Sequence, residues 1–316
     1  MHTTLQNAIH QQRTLLKGWL ASSLDILAES CRDAWPDRAA LEAVLTRGMV
    51  ELPYCKYLYV LDAGAQQITA NLSRSGLMPE HFGRDRSQRP YVAEALAGAA
   101  FSMSEAYLSR NARRPSLTAI QRIESASGAL LGYLGADFDL RELPATQNLY
   151  QQHTAWVQLK GDPAIRGGLF AQARTTSLMD QQIDAVLDLL TELITVHGVF
   201  HGKMHFSSSR ATLWLTSDPF RYRLHGIDDL NPSLCMAYPR TPYPADAAIP
   251  AGRVREVLDM FKSLRLMDET IYLRSGSLNI FNGMVGLNFS CDGSHYMRWD
   301  EFLGKNMDFW LGTSSV

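Results

Sequence analysis

Between Leu5 and Ala34 the apolar side chains fall at Leu5, Ile9, Leu16, Trp19, Leu20, Leu24, Leu27 and Cys31, spaced mostly by three or four. That spacing draws an apolar stripe down one side of a single long helix. A stripe of this length holds a helix in water only when another element covers it. Pro36 stops the helix. A second, shorter helix follows, with Asp37 placed to cap it and Leu41, Val44, Leu45 and Met49 on one face. The chain then changes period. Tyr54–Leu61 is rich in strand-favouring residues, Asp62–Ala65 is a turn, and Gln67–Leu72 returns. A polar stretch, Ser73–Pro90, leads to a short helix around Tyr91–Leu96 that ends at Gly98. Strands are expected at Ala100–Ser104, Ser116–Ile123 and Leu130–Phe138. Helices followed by returning strands predict an α+β fold, with the long helix packed on a largely antiparallel sheet.

Residues 146–168 read as a linker that separates a first domain, 1–145, from a second α+β domain, 169–316. In the second, a helix is expected over Ser177–Val196 and another over Arg253–Leu264. Strands are expected at Val199–Ser207, Thr212–Thr216, Thr270–Leu273, Ser277–Phe281 and Met284–Ser290. Ser275–Gly276 and Asn282–Gly283 read as turns, and Asn231–Pro250 as a long irregular loop. No internal repeat is visible.

Composition narrows the function. Net charge is −2, so no broad field draws the chain to nucleic acid or an anionic membrane. The basic cluster Arg110–Arg114 lacks interleaved aromatics and reads as a solvated loop. The N-terminus has no apolar signal-peptide core. No run approaches the roughly 18 apolar residues of a membrane span. The expectation is a cytoplasmic protein that partners neither nucleic acid nor membrane. The four cysteines, Cys31, Cys55, Cys235 and Cys291, are scattered without a CxxC pair. GxGxxG, a P-loop, GxSxG and kinase or cyclase signatures are all missing, so no cofactor is expected.

Two segments carry the functional signal. Asp85–Tyr91 reads DRSQRPY, and Gly132–Leu140 reads GYLGADFDL. Between them, Ser104, Glu105, Ala106 and Tyr107 stand where SEPY is typical. In order and spacing these segments resemble the ligand-sensing core of PDC/Cache sensor domains, extended relatives of the PAS fold. The likeness spans residues 5–145. It implies a PAS-like sheet, a long first helix that commonly serves as a dimer surface, and a pocket lined by Arg86, Arg89, Tyr91, Tyr107 and Asp137. In amino-acid-binding members an arginine grips the ligand carboxylate, which suits a guanidinium's paired donors. An aspartate at the closing strand takes the ammonium. Arg89 and Asp137 match those positions. Tyr91 stands where Trp is usual, and Val92 replaces a second aromatic residue. The ligand therefore stays open among carboxylates, amines and nucleobase-like compounds. A plain Arg89–Asp137 ion pair tying loop to sheet is the competing reading of the same residues.

The second half offers weaker constellations. His197, His201 and His205, in HGVFHGKMH, share a spacing of four and could ligate zinc or nickel. Gly198 and Gly202 argue against a regular helix, and no HExxH glutamate is present. Asp218, Asp228, Asp229 and Asp246 read as loop residues. Cys291–His295 brings a thiol, a hydroxyl and an imidazole close in sequence, but nucleophilic catalysis needs a base in contact. The expectation is a small-molecule sensor, a homodimer through its first helix, that signals to a downstream protein. The alternatives are an enzyme with its site in residues 195–300, or an interaction module with no ligand.

Overall fold

The computed structural model describes residues 4–109, 114–144, 173–291 and 293–311. The chain divides into two compact units, Met1–Leu149 and Tyr150–Val316, and its class is α+β. The expected linker, 146–168, lies outside the described residues.

In the first unit α1 (Thr4–Asp33) and α2 (Arg38–Glu51) precede β1 (Cys55–Asp62), β2 (Asn71–Ser73) and β3 (Gly76–Met78). A 3-10 turn, Pro90–Val92, runs into α3 (Ala93–Leu96). Then come β4 (Phe101–Met103), β5 (Tyr107–Leu108), β6 (Pro115–Glu124) and β7 (Leu130–Asp139). The sheet order is β3-β2-β1-β7-β6-β4, with β5 pairing β6, and every pairing is antiparallel. The stripe on α1 is buried as expected, from Leu5 through Leu16, Leu20 and Leu24 to Cys31. It packs on β6 and β7, while α2 packs on β1 and β2. Asp37 caps α2, accepting from the amides of Ala39 and Ala40.

Strand alternation sets the opposite face. Tyr57, Tyr59 and Leu61 of β1 lie across from Asp137, Gly135 and Tyr133 of β7; Thr118 and Ile120 of β6 lie across from Asp137 and Gly135. Tyr59, Leu61, Ile120 and Tyr133 join Val92 and Ala95 in one buried cluster under the 3-10 turn and α3. Gly135 explains part of GYLGADFDL. A Cβ there would lie 2.2 Å from the fully buried Tyr59 ring.

Two expectations in this unit need correction. Gln67–Ala70 does not extend β2. Thr69 instead takes the Val60 amide on its hydroxyl, and the Gln67 side chain turns toward Arg86. The polar stretch after Ser73 contains a strand, β3, and a 3-10 turn at Pro79–His81.

The second unit begins with α4 (Leu178–Gln181), capped by Ser177, and α5 (Ile183–Val196). β8 (Val199–His205), β9 (Arg210–Leu215) and β10 (Asp218–Gly226) follow. Next come α6 (Ala251–Leu266), β11 (Leu273–Asn279), β12 (Met284–Phe289) and β13 (Ser294–Arg298), then α7 (Trp299–Gly304) and α8 (Met307–Leu311). The antiparallel sheet runs β10-β9-β8-β11-β12-β13. β10 and β13 are strands the sequence does not announce, because charged and polar residues hide their period. Ser275–Gly276 is no turn but the middle of β11, and Gly276 makes room for Phe261 of α6.

α5 and α6 pack together over β8 and β11. Arg265 on α6 is fully buried and ties that helix to α4 and β11. Its guanidinium donates to both Asp180 oxygens at 2.8 Å and to the carbonyls of Thr175 and Leu273 at 3.3 Å. The register places Tyr222, Trp214, His201, Asn279, Met284 and Arg298 in one row on the sheet's other face. Leu224, Thr212, Lys203, Ser277, Gly286 and Tyr296 form the next row, and Gly226, Arg210, His205, Ser275, Asn288 and Ser294 the third. Among the described residues no helix is long and apolar enough to cross a membrane.

Replacing Gly135 by Ala should push Tyr59 out of place and cost about 1–3 kcal/mol, the usual range for overpacking. Urea denaturation checks this. An unchanged midpoint would mean the ring yields freely.

Candidate functional site

Asp137 lies near the end of β7, directly across from Thr118 on β6 and Tyr57 on β1. The Thr118 hydroxyl donates to Asp137 Oδ1 at 2.8 Å, and the Tyr59 hydroxyl donates to the same oxygen at 3.2 Å. Tyr107 on β5 joins through Thr118, hydroxyl to hydroxyl, at 2.8 Å. Oδ2 accepts no hydrogen bond among the described residues, and Asp137 lines a cavity of about 250 Å³. Burial pushes the Asp137 carboxyl up from the ordinary carboxylate value; Arg86, Thr118 and Tyr59 pull the other way without cancelling it. Burial and the Asp137 charge push the phenols of Tyr59 and Tyr107 up, so both remain protonated donors.

Arg86 faces this carboxylate from the loop before the 3-10 turn. Nε donates to Gln67 Oε1 at 2.9 Å, Nη2 to Asn71 Oδ1 at 3.2 Å and Nη1 to the Tyr91 hydroxyl at 3.0 Å. The guanidinium also lies 3.9 Å from the centre of the Tyr59 ring. Its role is to tie the loop to β1 and β2. Tyr91 in turn stacks on Tyr107, with centroids 6.1 Å apart and planes 22° off parallel. All five residues matched to the resemblance, Arg86, Arg89, Tyr91, Tyr107 and Asp137, line the one cavity. The Arg89–Asp137 ion pair is not formed. Arg89 makes no side-chain hydrogen bond or ion pair among the described residues.

The cavity wall holds five permanent cations, Lys56, Arg84, Arg86, Arg89 and Arg114, against two carboxylates, Asp137 and Asp139. Asp139 is already held by Arg141, through bonds of 3.1 and 2.9 Å. Burial raises the Asp139 carboxyl, but the Arg141 bonds and Lys56 outweigh it and hold it below the ordinary value. Among the described residues the cavity leaves uncommitted one carboxylate oxygen and three guanidinium groups, those of Arg84, Arg89 and Arg114. A second cavity, about 420 Å³, shares Tyr91, Tyr107 and, of these three arginines, only Arg89 with the first. Ser102 lines it, and its buried hydroxyl has no hydrogen-bond partner among the described residues.

Sequence reasoning missed Gln67, Asn71, Tyr59 and Thr118. Strand alternation from Asp137 could have found Thr118, and the aromatic run of β1 pointed at Tyr59. Nothing local marks Gln67 and Asn71, which reach Arg86 only through the fold.

The histidines do not gather. His197 ends α5, with Nδ1 against the Tyr238 carbonyl at 3.2 Å. His201 and His205 share one face of β8, but four strand residues separate their Cα atoms by about 13 Å. Ligand bonds near 2 Å cannot bridge that. Among the described residues no group of three or more His, Cys, Asp or Glu could hold a metal. Asp218 opens β10 and pairs with Arg223 at 3.2 Å rather than lying in a loop. Cys291 is exposed, and His295 sits on β13 against Phe289.

No known protein-family pattern matches the chain, and no curated protein does. Among solved structures, it is similar to the ligand-binding domain of the Campylobacter jejuni chemoreceptor Tlp3 in complex with L-norvaline. That match has 14% identity and a TM-score of 0.37, over 46% of this chain and 61% of that one. The ligand-binding domain of the Pseudomonas fluorescens chemoreceptor CtaA, in complex with L-isoleucine, matches at 20% identity and a TM-score of 0.33. It covers 43% of this chain and 53% of that one. The chain thus spans less than two thirds of either structure.

Arg86→Ala should cost about 2–3 kcal/mol, because it strands partners of charged hydrogen bonds. Arg89→Ala should change stability by under about 0.5 kcal/mol. Paired denaturant titrations check the contrast; equal losses would mean that Arg89 is structural too.

Proposed function

We propose that the first unit is a sensor module that binds a small molecule carrying both a carboxylate and an amine. Occupancy would be relayed by movement of the Arg86–Tyr91 loop against the sheet. The observation that carries this reading is that one cavity holds opposite charges with capacity left over: Asp137 Oδ2 and, of the three guanidiniums unpartnered among the described residues, that of Arg89, which stands beside the Tyr91–Tyr107 pair in both cavities. A partly desolvated carboxylate favours a cation that reaches it. A guanidinium with open donors favours a carboxylate. The stacked Tyr91–Tyr107 pair supplies an apolar wall between them. A ligand seated there touches both the loop and β7, so it biases the loop only insofar as it binds one loop position better than another.

Signalling would pass to a downstream protein, by shape change or direct contact. The exposed side of α1, with Leu15 at 48% and Ile26 at 69%, supports a homodimer along that helix. The cytoplasm is the proposed setting. No observation in the second unit favours the enzyme reading.

Thermal shift against amino acids, organic acids and amines tests the proposal. A ligand at about 100 times its Kd should add roughly 2.7 kcal/mol. Arg89→Ala should remove about 1.5–3 kcal/mol of binding free energy. Stabilisation by no compound, or by one that ignores both Arg89→Ala and Asp137→Asn, would sink it.

The pH dependence follows from the raised Asp137 carboxyl. An amine needs the ionised form. Its affinity should therefore fall as pH drops through that raised value, at a higher pH than an ordinary carboxylate would give. Calorimetric titrations at stepped pH should show this fall in the wild type and not in Asp137→Asn. A flat profile with Asp137 intact would remove it as the amine partner.

A further inference from the structure

We propose that the face of the second sheet opposite α5 and α6 binds single-stranded nucleic acid, with phosphates on Lys203 and Arg210 and bases on Trp214, Tyr222 and Tyr296. This goes beyond the sensor reading and uses none of its residues. The three rows set by the strand register contain no Asp or Glu. They do contain Lys203, Arg210 and Arg298. Lys203 and Arg210 form no ion pair among the described residues. Their charges are felt nearby: burial first, then Lys203 and Arg210, push the His205 imidazole down to about 4. The net charge of −2 speaks only to the long-range field; phosphate contacts are local and act through released counterions.

The aromatic residues on this face form platforms. Trp214 stacks on His201 with centroids 4.6 Å apart, and Tyr222 lies 6.1 Å from Trp214. Tyr296, 70% exposed, lies over Gly286, where a Cβ would meet its ring at 3.1 Å. The glycine is what lets that ring lie down on the sheet. From Trp214 on β9 to Tyr296 on β13 is four strand spacings, about 19 Å. That span suits a short oligonucleotide better than one nucleotide. Stacking on aromatic faces beside cations is the common means of holding single strands. A protein partner fits less well, because the rows offer only Leu224 and Met284 as aliphatic anchors.

Fluorescence anisotropy of a labelled oligothymidylate with the full chain tests the proposal. Binding should weaken steeply with salt, and the double variant Lys203→Glu, Arg210→Glu should reduce it at least about tenfold and flatten the salt slope. Tyr296→Ala, at an exposed site, should weaken it by about fivefold or more while the thermal transition stays put. Arg89→Ala should leave it unchanged, so this result stands or falls apart from ligand sensing. No binding at low salt overturns the proposal, as does equal affinity for the duplex or indifference to the double variant. Light scattering that shows a dimer dissociated by Tyr296→Ala would assign the face to a second copy and also overturn it.

Discussion

The first unit is organised around one half-committed buried carboxylate. Asp137 sits in the middle of an antiparallel sheet, where an unpaired charge would be prohibitive. Thr118 and Tyr59 commit one of its oxygens, and Tyr107 steadies Thr118. Arg86 supplies the nearest positive field without touching it, being held by Gln67, Asn71 and Tyr91. Those same bonds fix the loop that walls the cavity. Holding the carboxylate and shaping the site are therefore one network. Burial raises the Asp137 carboxyl, and Arg86, Thr118 and Tyr59 offset that only in part.

Much of this arrangement was legible in the sequence. The α1 stripe named its own buried face, because helical periodicity is a local property. The motif segments named five of the residues that line the cavity. What they did not reveal was the division of labour between two arginines three positions apart. Arg86 is buried as a brace and Arg89 is left open, and only partners distant in sequence, Gln67 and Asn71, decide which is which. A direct Arg89–Asp137 bond is the competing reading of the same letters.

In the second unit the misses share a cause. β10 and β13 carry polar residues on the sheet face away from α5 and α6, so alternation against a core is diluted. Ser275–Gly276 resembled a turn, yet Gly276 is small because Phe261 lies on it. The unit twice sets a helix before three antiparallel strands, α5 with β8–β10 and α6 with β11–β13, and the first strands of the two sets pair at the centre. That repetition lies in element order rather than in residues, so no repeat shows in the sequence. Arg265 and Asp180 could not be foreseen as partners for the same reason that Arg86 could not: their meeting is made by packing.

The most direct measurement is a high-resolution crystal structure of the chain soaked with an amino-acid mixture, read at the cavity beside Asp137. The account predicts density for a small molecule with its amine near 3 Å from Asp137 Oδ2 and its carboxylate on the Arg89 guanidinium. A cavity holding only water, with Arg89 swung in to pair with Asp137 directly, would contradict it.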